Sequence, residues 1–423
     1  IYALHVRDTA QQVAALVYAG SAVAAVFAGD FITLFVFWEG TTIASVILIF
    51  AARTERAYRA GMRYLVIQIG SGLFLLAGAV IYYAETGSIA FGAFDPATIA
   101  GALILLAFGI KCAFPLLHNW LQDAYPKATV VGSVVLSVYT TKLAVYALAR
   151  MFPGQEHLIW IGATMTVFPV FFAVIENDLR RVLSYSINNQ VGFMVCGVGV
   201  GTPLAINGVA AHAFADIFFK GLLMMSMGAV LYRAGTVKAS QLGGLHRSMP
   251  WTTVFCIIGA MSISAFPLFS AFVTKSMIIS EVAHAGYAII FLMLMFASAG
   301  VLEHSGIKIP YYAFFGHDSG LRVKEAPFNM LLAMGIAAFL CIFLGLPALF
   351  PGFGHEWLYG LLPYREEAMG YSRHHLFSFD HIITQFQLLI FAIFAFVLLK
   401  RFHVYPPEKR GVILDSDWTY RKL

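Results

Sequence analysis

Long apolar runs separated by short polar stretches organise the chain. They lie near residues 11–29, 31–51, 62–84, 98–122, 129–150, 157–176, 182–201, 205–232, 251–281, 286–306, 329–350 and 382–401. Each approaches or exceeds the roughly 20 apolar residues that a helix needs to cross a bilayer. The pattern predicts an all-α polytopic membrane protein of about twelve transmembrane helices with mostly short connections. The longest polar stretches are 233–250, 316–328, 351–381 and the tail from 402.

Composition narrows the class further. The chain has 423 residues, of which 60% are hydrophobic and 12% charged, against about a quarter charged in a soluble protein. This excludes a soluble globular enzyme, a disordered chain and a nucleic-acid binder. The net charge of +5 is no sign of nucleic acid, because the basic residues do not gather in one patch. Cys112, Cys196, Cys256 and Cys341 are isolated in apolar runs and read as small core residues. There is no C-x-x-C, no metal-ligand spacing and no phosphate-binding glycine motif, so no metal, iron–sulfur cluster or nucleotide cofactor is expected. No catalytic residue of an embedded enzyme is indicated either. Glu303-His304 and His374-His375 are adjacent pairs, not ligand spacings on a helix face. No signal-peptide pattern is visible.

The basic residues predict an orientation. Loops after even-numbered spans hold Arg53, Arg56, Arg59, Arg63, Lys127, Arg180, Arg181, Arg233, Lys238, Arg247, Arg322 and Lys324, and the tail adds Lys400, Arg401, Lys409, Arg410, Arg421 and Lys422. Loops after odd-numbered spans hold only Arg150, Arg365 and Arg373. Lys and Arg favour the cytoplasmic side, which places residue 1 and the tail there.

The exceptions to this segregation are all lysines. Lys111, Lys142, Lys220 and Lys275 lie inside apolar spans, and Lys308 sits at the end of one, close enough to an interface to snorkel. An ionisable group in the bilayer costs a few kcal/mol or more and marks function by default. Lysine can release its proton when desolvated, whereas arginine effectively cannot. Acidic residues are fewer. Glu39 lies deep in the second span, and Asp30 occupies the turn before it as a solvated or capping residue. His212, Asp216 and Lys220 follow one another at four-residue intervals on one helix face. That spacing permits an Asp216–Lys220 ion pair and suits a proton relay.

A short repeat points to the same chemistry. Ala113-Phe-Pro-Leu116 recurs as Ala265-Phe-Pro-Leu268, both mid-span. Proline removes a helix hydrogen bond, and in lipid the freed carbonyls must find other partners. Broken helices at matching positions of two halves mark ion sites in transporters. Pro115 follows Lys111 by four residues, and Lys275 follows Pro267 by eight. The span count divides into five-helix units at 8–152 and 155–316, followed by C-terminal helices and a cytoplasmic tail at 317–423. An odd number of helices per unit inverts the second unit relative to the first.

These stretches resemble the antiporter-like subunits shared by Mrp cation/proton antiporters and respiratory complex I. The resemblance rests on Val36-Phe-Trp-Glu39; Lys111-Cys-Ala-Phe-Pro-Leu-Leu-His-Asn-Trp-Leu-Gln-Asp-Ala124; Thr140-Thr-Lys-Leu-Ala-Val-Tyr146; Asp178-Leu-Arg-Arg-Val-Leu-Ser-Tyr-Ser186; Phe218-Phe-Lys-Gly-Leu-Leu223; and Phe266-Pro-Leu-Phe-Ser-Ala-Phe-Val-Thr-Lys275. It covers nearly all of residues 10–316. Gln122 departs from the proline usual in the loop after the first break, and Asp216 from the histidine common at its position. The resemblance implies that the two units correspond to family helices 4–8 and 9–13, with three family helices before residue 1. Lys275, where some members carry Glu, and the tail Val412-Ile-Leu-Asp-Ser-Asp-Trp-Thr-Tyr-Arg421 are similar to Mrp D-type proteins. The implied activity is proton translocation coupled to H⁺, and to Na⁺ or K⁺, within a hetero-oligomer of membrane subunits in the inner (plasma) membrane of a prokaryote. The alternative is a proton-pumping component of a complex I-like or hydrogenase redox complex, and only there part of an enzyme. The expected path runs from Glu39, which favours a charged Lys111, through Lys142 and the His212/Asp216/Lys220 face to Lys275.

Overall fold

The computed structural model describes residues 1–402 and Asp415. The expected features of residues 403–414 and 416–423, including the tail resemblance, lie outside the described residues. Among the described residues the structure is helical apart from two isolated β-bridges. The helices are α1 (Thr9–Val26), α2 (Phe31–Phe50), α3 (Glu55–Thr86), α4 (Ile99–Cys112), α5 (Asn119–Ala124), α6 (Val130–Leu136), α7 (Thr140–Met151), α8 (Glu156–Ile175), α9 (Leu179–Val200), α10 (Pro203–Ala234), α11 (Pro250–Ile263), α12 (Ser270–His284), α13 (Ala288–Val301), α14 (Lys308–Pro310), α15 (Phe328–Phe343), α16 (His355–Tyr359), α17 (Arg365–Tyr371) and α18 (Phe379–Arg401).

Each of the twelve predicted runs falls on helix. Among the described residues, eight spans are continuous enough and apolar enough to cross a bilayer, and α4, α11 and α15 are shorter apolar helices. The count of twelve is therefore not reached by length and hydropathy alone. Two physical effects account for the gap: helices break at mid-span, and α9, although 22 residues long, carries Asn188, Asn189 and Gln190 among its apolar residues.

Polar caps set the helix starts. Asp8, Asp30, Thr54, Thr98, Thr129, Asp178, Thr202 and Ser378 each accept a backbone N–H of the first turn with a side-chain oxygen, which relieves donors that the helix itself leaves unpaired. Asp30 also accepts from the Thr33 hydroxyl. These Thr33 bonds hold its carboxyl below the usual carboxylate range.

The centre of the bundle is formed by α9 and α10. α9 is buried from Val182 through Gly199, and α10 from Phe219 through Val230. α8 packs against α9 through glycines: a Cβ added at Gly162 would lie 2.3 Å from the Cys196 nitrogen, and one at Gly192 2.7 Å from the Thr166 nitrogen. Small residues permit this backbone approach between membrane helices. α18, by contrast, exposes Phe386, Ile390, Phe391 and Phe394 at the periphery. All four cysteines are buried and free.

Candidate functional site

The two Ala-Phe-Pro-Leu segments adopt one conformation. Ala113 and Leu116 have φ of 62° and 69°, and Ala265 and Leu268 have φ of 57° and 74°. These are left-handed values that a side chain rarely takes. In each segment the phenylalanine N–H bonds five residues back, Phe114 to Gly109 and Phe266 to Met261, closing the preceding half-helix with a Schellman-type turn. Both prolines therefore stand in non-helical linkers between α4 and α5 and between α11 and α12. A side-chain amide meets each break: Asn188 Nδ2 donates to the Ala113 carbonyl at 2.6 Å, and Gln385 Nε2 to the Ala265 carbonyl at 3.0 Å.

Lys111 occupies the last turn of α4 and is fully buried. Its ammonium donates to the Trp38 carbonyl at 2.7 Å, Thr41 Oγ1 at 2.8 Å and Thr42 Oγ1 at 3.3 Å, and stands 4.3 Å from the Trp38 ring centroid. Both threonine hydroxyls donate in turn to the Trp38 carbonyl. Glu39 follows Trp38 but makes no ion pair with Lys111. Its carboxylate lies against Gly72 of α3, where an added Cβ would fall 1.6 Å from Oε1, and that oxygen is buried without a hydrogen-bond partner. The expected direct contact is thus replaced by an oxygen cage beside the carboxylate.

A third break, absent from the sequence-based expectation, separates α6 from α7 at residues 137–139. No proline or glycine announces it. Lys142 sits in the first turn of α7, where it donates to the Ser137 carbonyl at 2.9 Å and pairs with Asp216 Oδ2 at 2.5 Å. The structure here corrects the intrahelical pair expected from spacing. Asp216 reaches across to Lys142, whereas Lys220 donates to Ser186 Oγ on α9 at 2.6 Å.

His212 lies one turn to the other side of Asp216. Its Nδ1 is 2.9 Å from Thr274 Oγ1 and its Nε2 is 3.1 Å from Gln190 Oε1. Thr274 precedes Lys275, whose ammonium donates to the Ile263 carbonyl at the end of α11, 3.0 Å away, and stands 4.9 Å from the Phe193 ring centroid. Lys142 and Lys275 therefore both rest on C-terminal carbonyls of half-helices, where the helix dipole is negative. Among the described residues no group of His, Cys, Asp and Glu is arranged to hold a metal ion.

Lys308 departs from its expected place. It is buried rather than snorkelling, and it donates to the carbonyls of Ala173, Val174 and Glu176 at 3.1, 2.6 and 2.6 Å. These are orphan acceptors at the end of α8.

The loop beyond the first break is fixed by charge. Asp123 accepts from Arg63 Nε at 2.8 Å and Nη2 at 2.6 Å and pairs with Lys127. Gln122 lies within α5, so the loss of the usual proline leaves that short helix intact. Sequence reasoning missed Thr41, Thr42, Ser186, Asn188, Gln190 and Thr274. Their signal was faint: small polar residues inside apolar runs, a turn from a lysine in space but not along the chain.

The match to known proteins follows this arrangement. The family model described as NADH:quinone oxidoreductase/Mrp antiporter, transmembrane, matches residues 28–302. The chain belongs to this family. It is 30% identical over 363 residues to the D-type subunit of the Na⁺/H⁺ antiporter of Bacillus subtilis, covering 80% of this chain and 71% of that one. The fold of this family member superposes on the Mrp complex from Dietzia sp. DQ12-45-1b with a TM-score of 0.73 at 22% identity, covering 88% of this chain and 79% of that chain. It also superposes on an archaeal membrane-bound sulfane sulfur reductase, a respiratory membrane complex, with a TM-score of 0.75 at 25% identity, covering 97% and 71%. The family member is a multi-pass membrane protein, and its structural relatives are multi-subunit membrane complexes.

Proposed function

We propose that this chain is the proton-translocating, D-type component of a cation/proton antiporter complex in a prokaryotic plasma membrane, with its C-terminal tail in the cytoplasm. The observation that carries the reading is the buried Lys142–Asp216 pair, which joins the first predicted five-helix unit to the second. Lys111 and Glu39 stand on one side of this pair, and His212, Thr274 and Lys275 on the other. A proton reaching the Lys111 cage displaces charge at Glu39, the lysine gives up its proton toward Lys142, and the pair with Asp216 re-forms around the new charge. His212, hydrogen-bonded on both ring nitrogens, carries the change to Lys275. Charges a few Å apart in a low-dielectric interior interact by several kcal/mol even at an effective dielectric of about 20, so each step resets the next.

The coupled ions are H⁺ and Na⁺ or K⁺, and the partners are other membrane subunits. The 25% identity to a component of a respiratory complex supports a second reading, in which a redox reaction in partner proteins drives the same proton path. Purification of the intact complex with mass spectrometry of its components separates the two. Small antiporter-type membrane proteins are expected, and iron–sulfur or quinone-site proteins would favour the second. Cation-dependent proton flux in everted vesicles tests the path itself. Lys275→Ala is expected to abolish it with assembly retained, and unchanged flux would overturn the reading.

A further inference from the structure

One buried titratable group is not used by that path. His304 lies in the π-helical turn Leu302–Ile307 that continues α13 and is fully buried. Its Nδ1 is 2.8 Å from Ser305 Oγ. The Ser305 hydroxyl donates to Ser186 Oγ at 2.9 Å, and Ser186 Oγ is the acceptor of the Lys220 ammonium. A continuous chain, His304–Ser305–Ser186–Lys220, thus ends one helical turn from Asp216. Adjacent residues do not face each other on an α-helix. The wide turn is what lets His304 and Ser305 bond to one another, and such turns occur often at functional sites. At the far end, His304 Nε2 is buried with no hydrogen-bond partner, an orphan that a purely structural histidine would not leave.

We propose that His304 is a second proton-carrying entrance to the central site, delivering protons to Lys220 through the Ser305 and Ser186 hydroxyls. It rests on the lysine-path reading above. The step balances. A proton arrives at Nε2 and the Nδ1 proton leaves to Ser305. Ser305 passes its own hydroxyl proton to Ser186, and Ser186 passes its own to the neutral Lys220 amine. Each hydroxyl gains and loses one proton, and the ring resets by turning over. Lys220 lies on the Arg233 side of Asp216 along α10, and His212 on the opposite side. This arm therefore enters from the side predicted to be cytoplasmic, while the His212–Thr274–Lys275 arm leaves toward the other.

The test uses the whole complex in everted vesicles or proteoliposomes. His304→Gln fills the volume and keeps hydrogen-bonding capacity but carries no proton. It is expected to lower proton flux at least about tenfold, the range of a lost proton-transfer group, with the protein at normal abundance. Ser305→Ala is expected to do the same, and Ser305→Thr, which keeps the hydroxyl, to restore flux. The opposite pattern, Gln tolerated and Thr harmful, is that of a packing residue and overturns the proposal. Should His304→Gln fail to assemble, Ser305→Ala against Ser305→Thr decides alone. Lys220→Met is measured beside them. If it too leaves flux unchanged, the lysine path itself is wrong. If it abolishes flux while His304→Gln does not, only the His304 arm falls.

Discussion

Lys142 of α7 and Asp216 of α10 form a buried ion pair at 2.5 Å, and it is the contact that joins the two predicted halves at the row of lysines. Removing one partner of such a pair leaves an uncompensated charge and costs about 3–5 kcal/mol, whereas replacing both with apolar residues is often neutral. Asp216→Asn is therefore expected to lose transport and to lower the unfolding temperature of the purified complex. The double variant Lys142→Met/Asp216→Leu is expected to regain most of the stability and none of the transport. A double variant that unfolds as early as the single one would show that the pair is not coupled as described.

Arginine substitution sorts the buried lysines by role. Lys308 satisfies three carbonyls at the end of α8, a task for any cation with enough donors. Lys308→Arg should transport at the parental rate, while Lys308→Met should lose about 2–4 kcal/mol, consistent with charged hydrogen bonds worth about 1.5–3 kcal/mol each that are not fully additive. Lys275→Arg should fail in transport despite normal assembly, because guanidinium does not release its proton. Parental flux from Lys275→Arg would remove proton release from its role.

The division between these lysines shows what the sequence could carry. Helix existence was legible because apolar runs about 20 residues long have few other fates. The two proline breaks were legible because proline cannot complete a helix and the same four residues recur. The break before Lys142 was not, since Ser137, Val138 and Tyr139 carry no breaker. There Tyr18 Oη, 122 residues distant, takes the Thr140 N–H at 2.9 Å, and Lys142 takes the Ser137 carbonyl. The partner of Asp216 was misjudged for a related reason. Four-residue spacing gave a local candidate in Lys220, but the chain brought Lys142 closer, and Ser186 took up Lys220. Lys308, likewise, could be placed at a span end by hydropathy but not matched to the α8 carbonyls it caps.

The breaks themselves offer a backbone test. Ala113 and Ala265 hold left-handed φ values that cost an L-residue roughly 1–2 kcal/mol and glycine little. Ala113→Gly and Ala265→Gly are each expected to stabilise the protein by up to about 1 kcal/mol, offset in part by unfolded-state entropy. Asn188→Leu, which strips the Ala113 carbonyl of its amide, should destabilise by about 1–3 kcal/mol. Denaturation of the detergent-solubilised complex reads both. Destabilisation by glycine would contradict the turn geometry at these sites.

Gly72 is the most direct handle on Glu39. An added Cβ there would lie 1.6 Å from Glu39 Oε1 and 2.6 Å from its Cδ, closer than any real contact, so the carboxylate must swing away. The side chain is flexible at its end, so the backbone of α3 need not move and assembly should persist. Gly72→Ala thereby displaces the charge beside the Lys111 cage without removing it. Flux is expected to fall by about tenfold or more, since a shift of a few Å at an effective dielectric near 20 changes the pair energy by about 1–2 kcal/mol. Glu39→Gln should match that loss, and adding Gly72→Ala to Glu39→Gln should cost nothing further. Additive losses would mean that Gly72 acts through α3 packing instead of through the position of the carboxylate.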